Sequence, residues 1–156
     1  MSYTREQVEA AVKAKGYVWF EDAANKGFDV NIVGIRNSAT GQVVTNAFDD
    51  TLTISYKENG QWKFHSWPAT TDPGKKGVLE YHNAAGVARL VEGQYRGSHG
   101  IGLHQGKYEA LKQAKNVKVY RDANKDLTYN EDKIQEGIFG INIHKAGADS
   151  TFVENW

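Results

Sequence analysis

Two runs of alternating polar and apolar residues flank an Asn-Gly pair, and this pattern constrains the fold more than any other feature of the chain. Residues 51–56 (TLTISY) alternate strictly, and the alternation resumes at Trp62 and Phe64, beyond Asn59-Gly60. Asn and Gly readily adopt positive φ angles, which the tight type I′ turn of a β-hairpin requires at both central residues. The sequence therefore predicts an antiparallel hairpin that turns at Asn59-Gly60.

A helix is predicted at the start of the chain. Thr4 and Gln7 have the spacing of a capping box, in which each side chain bonds the backbone N–H of the other residue. Apolar residues then recur at helical spacing, and Gly16 occupies the position of a C-terminal cap. We predict that residues 1–16 form an N-terminal helix and that residues 17–156 form a single β-rich domain.

Most of the other segments are predicted to be short strands or loops. The predicted strands are rich in aromatic and β-branched residues, and they are residues 17–20, 28–36, 78–81, 87–91, 116–121 and 137–144. Turn-forming residues predict a loop at 70–77, and four glycines predict another at 97–106. Residues 107–114 (KYEALKQA) are predicted to form a short helix, with Tyr108 and Leu111 on one face. The predicted fold class is α+β and mostly β, a single domain with a mixed or antiparallel sheet or sandwich, an N-terminal helix and one short internal helix.

The composition of the chain excludes several classes of partner. Its 19 basic and 19 acidic side chains balance, so no general positive field attracts phosphate backbones and we expect no nucleic-acid partner. No apolar run approaches the roughly 20 residues that cross a bilayer, and the first residues lack the apolar core of a signal peptide. The chain contains no cysteine, which excludes disulfides and thiolate metal sites. The sequence leaves the oligomeric state open.

Four blocks of the chain carry a family resemblance. They are residues 67–74 (WPATTDPG), residues 93–96 with 102–111 (GQYR, GLHQGKYEAL), residues 119–122 with Asn124 and Asp126 (VYRD), and residues 140–144 (GINIH). Together they resemble phage and bacterial proteins that bind or hydrolyse peptidoglycan, and the resemblance covers about residues 29–156. In that family the fourth block continues into Trp-Ser-Ala-Gly-Cys-Gln. The histidine and the cysteine that follows it resemble those of L,D-transpeptidase-like cell-wall enzymes.

The resemblance implies cleavage or exchange of amide bonds in the stem peptide of peptidoglycan. It implies a cysteine nucleophile and makes His144 the catalytic imidazole, with His104, Tyr108 and Arg121 as candidates for the substrate groove. This mechanism requires no cofactor. The segment that would carry this cysteine is not among the 156 residues. We therefore expect the chain as given to be inactive. The resemblance places such a protein, like an endolysin, at the bacterial cell wall or in a phage particle.

Two alternatives to a cysteine enzyme remain open. His99, His104 and His144 would complete a three-histidine ligand set for zinc, as in a metal-dependent peptidoglycan peptidase. Alternatively, the chain is a non-catalytic module that binds the cell wall or forms part of a virion. Adjacent carboxylates at Asp49 and Asp50 do not indicate a glycosidase, because neighbouring residues of a strand point to opposite faces.

A calcium site is a further prediction. Asp122, Asn124 and Asp126 offer oxygen ligands at alternate positions, as a calcium-binding loop does. However, Leu127 stands where such a loop has glycine, and Lys133 stands where it has a bidentate glutamate. The alternative is that the same side chains brace a turn through hydrogen bonds to the backbone.

Overall fold

Eight strands and two helices follow one another along the part of the chain that the structure describes. The computed structural model describes residues 2–37, 43–80, 84–129, 133–147 and 152–153. In chain order the elements are α1 (Arg5–Ala14), β1 (Asn31–Ile35), β2 (Asp50–Glu58), β3 (Gln61–Ala69), α2 (Lys75–Glu80), β4 (Ala88–Leu90), β5 (His99–His104), β6 (Tyr108–Gln113), β7 (Val117–Arg121) and β8 (Ile134–Gly137). The prediction of a mostly β fold with an N-terminal helix and one short internal helix is confirmed. Neither of these helices is long and apolar enough to cross a membrane.

The chain divides into two units. The first comprises residues 1–37 and 48–71, with α1 and β1 to β3, and the second comprises residues 38–47 and 72–156, with α2 and β4 to β8. Each unit contains its own sheets, because no sheet combines strands from both among the described residues.

Helix α1 begins with the capping box that the sequence predicts. The Gln7 N–H donates to the Thr4 hydroxyl (3.2 Å), and the Thr4 N–H donates to the Gln7 side chain (2.9 Å). The first of these bonds satisfies a donor that the opening turn of a helix leaves without a helical partner. Val8 is 2 % exposed, and Gly16, with a φ of 76°, follows the end of the helix.

Strands β1, β2 and β3 form one antiparallel sheet in chain order, with β2 in the centre. Asn59 and Gly60 both have positive φ angles, 52° and 75°, and Glu58 pairs with Gln61 across the turn. These signs of φ are those of a type I′ turn, so the predicted hairpin is confirmed.

A row of rings lies along one face of this sheet. Phe28, Tyr56, His65 and Trp67 follow one another with ring centroids 5.4, 6.4 and 5.9 Å apart. The side chains at the two ends, Phe28 and Trp67, are exposed. Trp19, by contrast, is buried. Tryptophans of the first unit thus lie both in its interior and on its surface.

The second unit contains two separate antiparallel sheets. In the larger one β7 lies between β4 and β8, so that Val119 is opposite Leu90 on one side and Gln135 on the other. Val117 and Val119 are fully buried because the central strand presents one face to the interior. A cluster of buried apolar side chains, one of them from α2, lies in this unit: Val44, Val78 and Tyr129.

Strands β5 and β6 form a hairpin that the sequence analysis did not predict. The loop predicted at residues 97–106 and the helix predicted at residues 107–114 are both wrong, since β5 and β6 occupy most of these segments. Gln105 and Gly106 have positive φ angles, 51° and 70°, and they turn the chain back on itself. Pairing with β5 gives β6 its backbone partners, and this long-range effect overrides the helix-forming composition of the segment.

Two other segments also differ from the predictions. Helix α2 occupies the second half of the predicted loop at 70–77 and the described part of the predicted strand at 78–81. A helix of six residues is too short to show a helical period in its sequence. Residues 17–20 form no strand. The backbone of Phe20 bonds the Asn31 side chain instead, through its N–H (2.8 Å) and its carbonyl oxygen (2.9 Å).

The strand predicted at residues 137–144 is also wrong. Strand β8 ends at Gly137, and Ile143 alone forms an isolated bridge beyond it. Gly140 has a φ of 72°, which no extended strand accommodates. Residues 138–144 therefore form an irregular segment, here called the histidine segment because it ends at His144.

Candidate functional site

His104 is a buried residue at the end of β5, beside the hairpin turn. Its Nδ1 lies 3.2 Å from the Asn142 side-chain Nδ2. The Gln113 backbone N–H donates to Asn142 Oδ1 (3.0 Å), which fixes the orientation of that amide. Since Nδ2 can only donate, Nδ1 of His104 must accept, and the neutral imidazole carries its proton on Nε2.

His144 stacks directly on His104, with 3.9 Å between the ring centroids and 15° between the ring planes. His144 Nδ1 lies 3.1 Å from Tyr108 Oη and 3.0 Å from the Lys145 carbonyl oxygen. The Tyr108 hydroxyl donates to that same carbonyl oxygen (3.0 Å). Because a carbonyl oxygen only accepts, these contacts favour the tautomer of His144 that is protonated on Nδ1, and Nε2 is then its basic nitrogen. His104, Tyr108, Asn142 and His144 are called the histidine cluster below.

Burial and positive charge favour the neutral form of His104. Burial is the main cause that lowers the pKa of His104 below its ordinary value of 6.5, and the positive charges of protonated His144, of Lys107 and of Lys112 lower it further. A third lysine lies at the cluster, since Lys145 Nζ is 5.2 Å from the centre of the Tyr108 ring. The cluster therefore combines uncharged His104 with a positively charged surrounding.

Backbone pairing and one side chain hold the histidine segment against β6. Leu111 and Ile143 exchange two backbone hydrogen bonds, of 3.0 and 2.8 Å. The Gln113 side chain adds four more hydrogen bonds, accepting from two N–H groups and donating to two carbonyl groups: Phe139 and Ile141, then Gly137 and Lys115. These contacts place His144 on His104 although the segment between them is not a regular strand.

His99, the third histidine of the predicted zinc site, makes a different set of contacts. Its Nδ1 lies 2.7 Å from Ser98 Oγ, and its Nε2 lies 2.6 Å from the Ile141 carbonyl oxygen. His99 thus ties β5 to the histidine segment. The structure brings together His104 and His144 of the predicted zinc ligands, and no three His, Asp or Glu side chains of the described residues are grouped as metal ligands.

Arg121, a predicted groove residue, lies on β7 in the other sheet of the second unit. It is 8 % exposed, and it donates to the Gln135 side chain (3.0 Å) and to the Gly86 carbonyl oxygen (2.9 Å). Its guanidinium group also lies 4.9 Å from the centre of the Phe139 ring. None of these contacts reaches the histidine cluster, so the structure does not bring Arg121 together with His104 and Tyr108.

Hydrogen bonds from backbone N–H groups to aspartate side chains stabilise the loop after β7, residues 122–128. Asp122 is fully buried and accepts hydrogen bonds from the N–H groups of Asp126 (3.2 Å) and Leu127 (2.9 Å). Asp126 accepts from the Thr128 N–H (2.9 Å) and from the Asn124 side chain (3.2 Å). These bonds are those of the turn-bracing alternative, and calcium binding by the loop stays a prediction.

No sequence motif marks two of the residues that build this site, Asn142 and Gln113. Asn142 is a polar residue within an apolar run, between Ile141 and Ile143, and this interruption is the one sequence feature that would have singled it out. Gln113 lies among polar and small neighbours, so its role depends on tertiary contacts that no local pattern announces.

Comparisons with known proteins add no family to this description. No family model matches the chain, and no curated protein or solved structure matches it. The resemblance to peptidoglycan-processing proteins therefore rests on the four sequence blocks.

Proposed function

We propose that the chain recognises the stem peptide of peptidoglycan and that its histidine cluster supplies the proton-transfer groups for cysteine-type processing of an amide bond. The observation that carries this proposal is the stacked pair of histidines with different protonated nitrogens. His104 presents an Nε2–H donor, whereas His144 presents a basic Nε2. Acyl transfer needs one hydrogen-bond donor and one proton acceptor, and these two stacked rings offer one of each.

The chemical step assigns one role to each histidine. His144 Nε2 takes the proton of a thiol, and the resulting thiolate attacks the amide carbonyl carbon. The His104 Nε2–H donates to the carbonyl oxygen as that oxygen gains negative charge. The C–N bond then breaks as the protonated His144 gives its proton to the departing amine, which leaves a thioester. Water, or a second amine in an exchange reaction, attacks this thioester, releases the acyl group and restores the thiol. Tyr108 and Asn142 act as positioning residues because they hold the two Nδ1 atoms.

The sulfur itself is not among these 156 residues, none of which is cysteine. The sequence as given is therefore expected to bind stem peptides without cutting them. This absence favours a second candidate function, a non-catalytic cell-wall-binding or virion module. The zinc-peptidase alternative has less support, since the nitrogen atoms of His99 face Ser98 and Ile141.

The test compares the 156-residue chain with a version extended after Trp156 by the segment Ser-Ala-Gly-Cys-Gln. Both chains are incubated with purified sacculi, and bound protein and released muropeptides are measured. We expect both to bind and the extended chain alone to release or exchange peptides, with loss of this activity on thiol alkylation. His144→Ala in the extended chain should abolish the activity at nearly unchanged melting temperature. His65→Ala, which changes an exposed histidine of β3, is the matched control.

Three outcomes would contradict the proposal or replace it. Binding to sacculi without any processing by the extended chain would favour the non-catalytic module. Processing that resists alkylation and stops with a chelator would favour the zinc peptidase. Full activity of His144→Ala would remove this histidine from the mechanism.

A further inference from the structure

The outer edge of β5 carries backbone groups that point away from its partner strand. In an antiparallel pair the N–H and C=O of one residue point to the same side, and the side alternates along the strand. Leu111 of β6 directs both groups to Ile143, which lies on the side of β6 away from β5. Ile101 is opposite Leu111 in the register, so its own N–H and C=O point outward.

The same alternation applies to the residues two positions before and after Ile101, which are His99 and Leu103. Both are paired with β6 in the same register as Ile101, so their N–H and C=O groups also point outward. The carbonyl oxygen of Ser98 accepts from the N–H groups that follow β6, which confirms that even-numbered positions face the partner strand. Three N–H groups and three C=O groups thus form an open edge, and β6 is the only strand that pairs with β5 among the described residues.

The side chains of β5 leave this edge accessible. Gly100 and Gly102 lie on the face of the hairpin that also bears His104, because side chains alternate between faces. A Cβ atom added at Gly100 would meet no atom within 4 Å. Ile101 and Leu103, on the opposite face, are 83 % and 50 % exposed. On the same face as His104, the Lys112 side chain lies over Gly102, where an added Cβ atom would be 2.7 Å from it. A strand laid along β5 would therefore meet glycine backbone and this lysine on the face that leads to His104, and an apolar face on the other side.

The charges at the end of this edge are complementary to carboxylates. Lys107 and Lys112 lie close enough to His104 to act on its charge, and Lys145 lies over the Tyr108 ring. The acidic residue of β6, Glu109, alternates to the opposite face of the hairpin from Tyr108. Three cations on the side of the histidine cluster favour a ligand that carries negative charge.

We infer that β5 binds an extended, carboxylate-bearing peptide as an added β-strand, with the outward N–H and C=O groups of His99, Ile101 and Leu103 as its partners. This inference rests on the proposed function, in which the peptide is the peptidoglycan stem, and it deepens that function by naming the surface that holds the substrate. Main-chain hydrogen bonds of this kind give affinity with little dependence on side chains. The lysines attract the carboxylates, and the direction of β5 leads the peptide to the histidine cluster.

The test uses a synthetic stem tetrapeptide and the same tetrapeptide with its carboxylates amidated. Ile101→Pro removes one outward N–H and leaves the inner ladder intact, since proline is tolerated where the N–H of an edge strand faces away from the sheet. Ile101→Ala keeps the N–H and loses the side chain, so it is the matched control. By calorimetry we expect about tenfold weaker tetrapeptide binding for the proline variant and less than about threefold for the alanine variant. Amidation should weaken binding to the unaltered chain, and added salt should reduce the difference.

Hydrogen exchange of the unaltered chain tests the same edge without any substitution. On addition of the tetrapeptide, the amides of His99, Ile101 and Leu103 should become protected, which keeps the inference testable if Ile101→Pro does not fold.

Equal binding by the proline and alanine variants, or unchanged exchange of these three amides, would overturn the edge inference and leave the proposed function standing. Protection of these amides that rises with protein concentration, without peptide, would assign the edge to a second copy of the chain. Absence of any tetrapeptide binding would count against both the inference and the proposed function, whereas binding at the edge by an extended chain that cuts nothing would count against the proposed function alone.

Discussion

Replacing Gln113 with alanine should loosen the attachment of the histidine segment to β6. Gln113 is 9 % exposed, and its side chain makes four hydrogen bonds to backbone groups, between 2.8 and 3.1 Å. A typical hydrogen bond contributes about 0.5–1.5 kcal/mol net, so four contribute about 2–6 kcal/mol. Water entering the space left by the side chain would satisfy some of the released groups. We therefore expect a loss of about 2–4 kcal/mol in the stability of this region.

Gln113→Ala should lower both the stability of the histidine segment and the stability of the whole fold, and hydrogen exchange of single amides distinguishes the local loss from the global one. The amides of Phe139 and Ile141 donate to Gln113 Oε1, so in Gln113→Ala their protection should fall by about 30- to 1000-fold, the equivalent of 2–4 kcal/mol. Urea denaturation measures the global change through the transition midpoint at constant slope. Gln61→Ala, at an exposed end of β3, should change stability by less than about 0.5 kcal/mol.

A second variant, Gln113→Glu, tests whether the two bonds that the Gln113 NH₂ group donates are needed. A carboxylate still accepts from the two N–H groups, but it faces the carbonyl oxygens of Lys115 and Gly137 in place of an NH₂ donor. We expect this variant to lose the protection at Phe139 and Ile141 as well, because the repulsion moves the side chain away. Unchanged exchange at both amides in Gln113→Ala would refute the reasoning that this side chain holds the histidine segment.

Two further predictions concern the pH dependence of stability and the close approach of two backbone segments. The pKa of His104 is lower in the folded chain than in the unfolded chain. As the pH falls below about 6.5, His104 therefore takes up a proton more readily in the unfolded chain. Neutral His104 thus contributes fully to stability above about pH 6.5, and this contribution is lost at lower pH. His104→Gln should remove this part of the pH dependence of the urea midpoint, and parallel curves for the two proteins between pH 5 and 7 would contradict it. Gly86→Ala would place a Cβ atom 2.1 Å from the Asp122 carbonyl oxygen, whereas Gly106→Ala, at a similar positive φ, meets nothing within 4 Å. We expect a loss of about 1–2 kcal/mol for Gly106→Ala and at least about 2 kcal/mol more for Gly86→Ala by urea denaturation, and equal losses would show that the contact at Gly86 relaxes freely.

The two hairpins show where sequence reasoning succeeds and where it fails. The Asn59-Gly60 hairpin was predictable because its turn residues favour positive φ and its strands alternate. The β5–β6 hairpin turns at Gln105-Gly106, with the same signs of φ but a first residue that does not favour them. Its first strand contains two glycines and its second has the composition of a helix. Both strands exist because they pair with each other, which is a tertiary effect.

The sequence named three members of the histidine cluster and could not show that they meet. His104 and Tyr108 are cross-strand partners, which the predicted loop and helix did not allow. His144 reaches them through the Leu111–Ile143 bridge and the Gln113 side chain. Arg121, which was predicted beside them, is instead held in another sheet. Residue types thus identified the chemistry, whereas the contacts that assemble it depend on the fold.

The direction of the hydrogen bonds decides which nitrogen of each histidine is basic. Of all the properties of the site, this one is the least predictable from the sequence. The Gln113 N–H fixes the Asn142 amide, the amide donates to His104, and the proton of neutral His104 is therefore on Nε2. At His144 the Lys145 carbonyl oxygen reverses the assignment, since it can only accept. Two identical side chains stacked at 3.9 Å thereby become a donor and an acceptor. An Asn142→Asp variant would face the Gln113 N–H with one oxygen and His104 with another, which would move the His104 proton to Nδ1 and make both histidines acceptors at Nε2. The cluster would keep its imidazole rings and lose the difference between them on which the proposed chemistry depends.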